Sequence, residues 1–242
     1  MSGPALSTYI DEDRDRILAW ARYVFYAEIE CEQYNAHEMA EDESPIGRTL
    51  VLMMQFYAAL WVVAEGWQDC PLTDETIDEL LTDPAFEQNV TLLRRFRNGV
   101  YHYQPQQINE KVLAFLRDGS EHAIAWAFLL HDEFKRVVWE LAHPRGVSPS
   151  QQIEIADSLR GIIGWLPSDL PEAQPLRAAE QYREVAAMVL KDGSRNTPHA
   201  RELLDAVNHV RATAHDAAAG WTAHKRAMIE ALKKQKRMGL DT

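Results

Sequence analysis

Three observations predict an all-α protein. Glycine is sparse inside the periodic stretches, strand-like alternation of apolar and polar residues is absent, and apolar residues recur three or four apart over long segments. The clearest case is Ile46, Leu50, Met53, Tyr57, Leu60, Ala64 and Trp67, which share one face of a helix over about residues 46–67. Before it, Ile17, Trp20, Val24 and Ala27 mark a first helix over about residues 11–37, closed by an acidic loop at Glu41-Asp42-Glu43-Ser44-Pro45. Thr73 is placed to cap a short helix through Leu81, with Asp74 and Glu75 in its first turn. Asp83-Pro84 predicts a further start, with proline at the first helical position, and a run to about Tyr103 stopped by Pro105. Short turns are expected to Arg117. Asp118-Gly119-Ser120 then opens a helix to about Ala142, carrying Trp126, Leu130, Phe134, Val137, Val138 and Leu141.

His143-Pro144-Arg145-Gly146 is a break, and it predicts a helical bundle over residues 1–143 and a C-terminal helical extension over 144–242. In the extension, Ser148-Pro149 starts a helix ending near Gly164. Pro167, Pro171 and Pro175 mark a rigid connector, a helix follows to about Lys191, and Thr197-Pro198 caps the last long one. A chain of 242 residues can bury roughly 70% of its extended surface, so no staple is needed.

The net charge of -12 is uneven. Residues 1–143 hold 25 Asp and Glu against 11 Lys and Arg, whereas residues 144–242 hold 12 against 14. The first part therefore repels a polyanion at long range, and any nucleic-acid contact there needs a local cationic cleft. The basic cluster Lys225, Arg226, Lys233, Lys234, Lys236 and Arg237 reads as cations at a helix C-terminus. Cys31 and Cys70 form no CxxC, which suits core thiols in a reducing cytoplasm. The acidic, polar N-terminus is unlike a signal peptide. The apolar run Leu50 to Ala64 contains Gln55 and stops at Glu65, short of the about 20 residues a span needs, so no membrane partner is expected.

Most chemical constellations are excluded. A di-metal bundle needs two Glu-x-x-His pairs, and only Glu140-x-x-His143 is present, where His143 reads as a C-terminal cap. His37-Glu38-x-x-Glu41 lacks the second histidine of a zinc protease, and there is no P-loop, GxSxG or GxGxxG. No metal site and no cofactor are expected. The seven tryptophans fall mostly at core spacing.

What remains is Leu92-Leu93-Arg94-Arg95-Phe96-Arg97-Asn98-Gly99-Val100-Tyr101-His102-Tyr103. Cations and an imidazole are costly beside an apolar core unless partnered, and they are also the groups that hold a phosphate and move its proton. On a continuous helix Asn98 and His102 share a face, while Leu93, Phe96, Val100 and Tyr103 make an apolar stripe. Arg97 stands roughly 140° from His102, so convergence needs a bent arginine, a break near Gly99, or a second copy across a dimer axis. In the alternative reading, Arg97 pairs with an acid such as Glu65, and His102 caps or hydrogen-bonds between helices.

Arg97-Asn98-x-x-x-His102, late in a helix-rich segment, resembles the signature of the HEPN family over roughly residues 10–143. Members are helical bundles that often dimerise and bring two motifs into one cleft. Many are metal-independent endoribonucleases of toxin–antitoxin or defence systems, some with a neutralising protein partner, and others are inactive RNA-binding or scaffold domains. The resemblance implies that Arg97 stabilises phosphate charge, Asn98 orients it, and His102 is the general acid or base. Arg95 and Tyr101, beside them in sequence, are candidate second-line substrate contacts. A subset carries a Tyr two residues after the histidine that a partner nucleotidylates. Here that position is Gln104, which argues against such control.

Overall fold

The computed structural model describes residues 9–38, 46–102, 120–144, 146–168, 170 and 222–234. Among the described residues there are seven helices and no strand: α1 (Asp11–Glu38), α2 (Ile46–Asp69), α3 (Glu75–Thr82), α4 (Glu87–Tyr101), α5 (Ser120–Ala142), α6 (Pro149–Ile163) and α7 (222–234). The expected turns over 104–117, the helix to Lys191 and the Thr197-Pro198 cap lie outside the described residues.

The chain divides into two units. One comprises residues 1–166 and 232–242, the other 167–231. Within the first unit α6 packs on α1 and α5.

Within the first unit, α1 and α2 pack along each other. Trp20 meets Trp67 while Tyr34 meets Phe56, so the two helices run antiparallel. The α1 stripe Ile17, Trp20, Ala21, Val24 and Ala27 is buried, α1 packs on both α2 and α5, and Trp20 meets Trp67 of the one and Phe134 of the other. Trp20, Trp67 and Phe134 form a ring triangle with centroids 5.2–6.1 Å apart. Two buried indole N–H groups find carbonyls: Trp20 Nε1 donates to Val63 O at 3.2 Å, and Trp126 Nε1 to Leu80 O at 3.0 Å. By length and composition α2 could cross a membrane, yet its Phe56, Tyr57, Leu60, Trp61, Val63, Ala64 and Trp67 are all buried inside the protein.

Two helix starts differ from expectation. Asp74, not Thr73, caps α3, accepting from the Thr76 and Ile77 amides at 3.1 Å. The carboxylate adds its charge to the helix dipole, which a threonine hydroxyl cannot. Pro84 lies in a turn built on Asp83, whose Oδ1 accepts from the Ala85 amide at 2.8 Å, so α4 starts only at Glu87. Ser148 and Gln151 form a reciprocal capping box at α6, and Gly164 ends it at φ 91°, where a side chain would be strained.

Candidate functional site

Helix α4 buries Leu92, Leu93 and Phe96, with Phe96 edge-on to Tyr57 of α2 at 5.9 Å. That anchor fixes the next residue, Arg97, at the α2–α4 seam. Arg97 Nη1 donates to Asn98 Oδ1 at 3.1 Å, and Nη2 lies 3.7 Å from Glu65 Oε2 on α2. The Arg97 side chain is 31% exposed, while its Nε is buried and has no hydrogen-bond partner. Glu65 is 52% exposed, so the pair sits at the rim of the seam in screening water.

The helix ends sooner than Pro105 would require. Gly99, Val100 and Tyr101 are poor helix formers, and His102 is the C-cap, with extended backbone at φ -111° and ψ 134°. His102 therefore leaves the helical face it would share with Asn98, and it is exposed. Tyr101, 57% exposed, lies one turn beyond Arg97 on the same face. Arg95 is exposed roughly 200° round the helix from Arg97 and does not join it. The structure thus brings Arg97, Asn98 and Glu65 together. Among the described residues no hydrogen bond joins Arg97 to His102.

Two further polar clusters were not anticipated. In the first, buried Glu28 and Cys31 of α1 face buried His131 and Lys135 of α5. Lys135 Nζ donates to Glu28 Oε1 at 2.9 Å, and His131 Nε2 stands 3.3 Å from Glu28 Oε2. Asn35 Nδ2 donates to Cys31 Sγ at 3.5 Å. Burial, then the Glu28 charge, pushes the Cys31 thiol up to about 12. The available signal was Glu28-x-x-Cys31 and His131-x-x-x-Lys135, each one turn apart on a single helix face.

In the second, Arg136 of α5 binds Asp74 Oδ2 at 2.7 Å, Glu133 Oε2 at 2.6 Å and Glu140 Oε1 at 2.8 Å. Burial pulls its pKa down, but Glu133, Glu140 and Asp74 more than offset this and hold it above the ordinary value. Asp74 thus caps α3 and ties it to α5. His143 bonds the last turn of α5 through Nδ1 and Trp139 O at 3.0 Å, a C-terminal cap as expected.

No protein-family model matches this chain, no curated protein matches it, and no solved structure matches it.

Proposed function

We propose that the chain is a HEPN-like, metal-independent endoribonuclease whose phosphate-binding cation is Arg97 and whose proton-transfer group is His102. One observation carries this reading. At the end of α4 a part-exposed guanidinium holds its Nη2 beyond hydrogen-bond reach of Glu65, with an exposed imidazole five residues on. The Glu65 contact, at 3.7 Å, is too long for a hydrogen bond, so a phosphate oxygen can compete for the same donors.

In the proposed reaction a ribose 2′-OH attacks the adjacent phosphorus, the P–O5′ bond breaks, and a 2′,3′-cyclic phosphate remains. His102 takes the 2′-OH proton or returns one to the leaving 5′-oxygen, and Arg97, steadied by Asn98, neutralises charge on the non-bridging oxygens. Each contribution is typically worth about 10²–10⁴-fold. With no hydrogen bond joining Arg97 to His102, two copies supply complementary halves of the cleft in this proposal, and Tyr101 offers a base a stacking face. A homodimer, an RNA substrate and a neutralising protein partner belong to this proposal, as does a cytoplasmic setting.

The deciding experiment is cleavage of a panel of RNAs without divalent metal by wild type, Arg97→Ala and His102→Ala. Cleavage lost in both variants supports the proposal. Equal cleavage by all three, or a wild type inert toward every RNA, overturns it. Sedimentation showing only monomer removes the composite cleft.

The Glu65–Arg97 pair itself favours a second reading, a catalytically silent helical interaction module in which Arg97 is scaffold. That reading gains if wild type is inert and Arg97→Ala loses stability.

A further inference from the structure

We propose that Glu28, Cys31 and His131 form a binding site for a thiophilic dication of the zinc class, reversing the sequence expectation of no metal. A carboxylate, a thiol and an imidazole are all buried here, and their ligating atoms lie within 4.8 Å of one another. Those are the three ligand types that zinc takes.

The spacing also fits. Zinc–nitrogen and zinc–oxygen bonds of about 2.0–2.2 Å at a tetrahedral angle place the two ligand atoms roughly 3.4 Å apart. His131 Nε2 and Glu28 Oε2 are already 3.3 Å apart. The thiol has only a short distance to close.

Two ligands come with outer partners. Lys135 holds Glu28 by Oε1, which leaves Oε2 turned toward His131 and makes the carboxylate a single-oxygen ligand. The Asn35 amide donates to Cys31 Sγ, a bond that favours thiolate over thiol. On binding, the Cys31 S–H proton leaves to solvent and the thiolate sulfur bonds the ion. The Glu28 carboxylate and the Cys31 thiolate offset the ion's two charges, so the Lys135 ammonium, which Glu28 balances in the ion-free protein, gives up its proton to solvent or stands as one net positive charge beside the site. Three protein ligands leave one tetrahedral position for water. Because the ligands join α1 to α5, the ion acts as a clasp between the two helices. The proposal is independent of Arg97 and His102.

The test uses the full chain stripped of metal and titrated with cobalt(II), then zinc. Wild type and Cys70→Ser should each take up one equivalent of cobalt, with a near-ultraviolet thiolate-to-metal charge-transfer band and the visible bands of a tetrahedral ion, and zinc should abolish both. Cys31→Ser, checked for native helix content by circular dichroism, should show no charge-transfer band. If Cys31→Ser does not fold, His131→Gln decides, and its cobalt affinity should fall by at least about 10-fold. No thiolate band in wild type, a band that survives Cys31→Ser or vanishes in Cys70→Ser, or unchanged affinity in His131→Gln overturns the proposal.

Discussion

Glu65 Oε2 on α2 stands 3.7 Å from Arg97 Nη2 on α4, at the rim of a seam otherwise closed by Tyr57 and Phe96. A half-exposed pair of that length is worth about 0–1 kcal/mol, so it restrains the guanidinium without locking it. A phosphate that binds Arg97 must displace this carboxylate. Glu65→Gln should therefore tighten RNA binding by about two- to fivefold at low salt, the equivalent of that pair energy. Fluorescence anisotropy with a labelled single-stranded RNA measures it. Weaker binding in Glu65→Gln would make Glu65 a contact residue instead of a competitor.

The same geometry separates a site from a scaffold by stability alone. His102 is an exposed cap, so His102→Ala should change unfolding free energy by no more than about 0.5 kcal/mol. Arg97→Ala should cost no more than about 1 kcal/mol. Urea denaturation reads both. A loss of about 3 kcal/mol in Arg97→Ala would place the arginine in the scaffold.

Local patterns were legible in the sequence wherever a single helix face decided them. The three-or-four spacing in α2 and α5 picked out Tyr57, Leu60, Ala64 and Trp67, and Trp126, Leu130 and Phe134, because burying one stripe is what a helix face does. Glu65 was legible as a partner for Arg97, being an acid at the polar end of an apolar helix. Other features needed tertiary context. The cap at Asp74 depends on Arg136, which reaches it from α5. The end of α4 at His102 depends on low propensity after Gly99, a weaker signal than Pro105. The Glu28–Lys135 contact joins residues 107 positions apart, and no helical period carries across such a gap.

That contact is a buried charge pair, so its members are not interchangeable with alanine. Lys135→Ala leaves Glu28 in the core without its cation and should destabilise by about 3–5 kcal/mol. The double variant Glu28→Gln with Lys135→Met should recover most of that loss, because neither member then carries a charge. Chemical denaturation of the two variants checks the comparison, and equal losses would show that Lys135 acts by packing alone.

Arg136 meets three carboxylates at once, and its planar fork is what allows it. Arg136→Ala should cost about 3–5 kcal/mol. Arg136→Lys should recover little, since one ammonium cannot face Asp74, Glu133 and Glu140 together. Hydrogen exchange should show the amides of α3 opening first in both variants, since α3 loses its tie to α5. Full recovery by lysine would reduce the cluster to point charges.

His143 sets an acid limit on stability. Burial lowers its pKa from 6.5 to about 4, only partly opposed by the hydrogen bond to Trp139 O, and the Arg160 charge lowers it further. The native state therefore binds the proton less readily than the unfolded chain does. Above pH 6.5 both states hold a neutral ring, and this residue's share of stability is fully present. As pH falls from 6.5 toward about 4, the unfolded state gains the proton first and that share is lost. Allowing for partial exposure, the loss is about 1–3 kcal/mol. His143→Gln keeps a donor for Trp139 O but does not titrate. Melting temperatures measured from pH 7.5 to 4 should fall less steeply for this variant than for wild type. Parallel curves would mean that the imidazole stays as open to protons in the folded protein as in the unfolded chain.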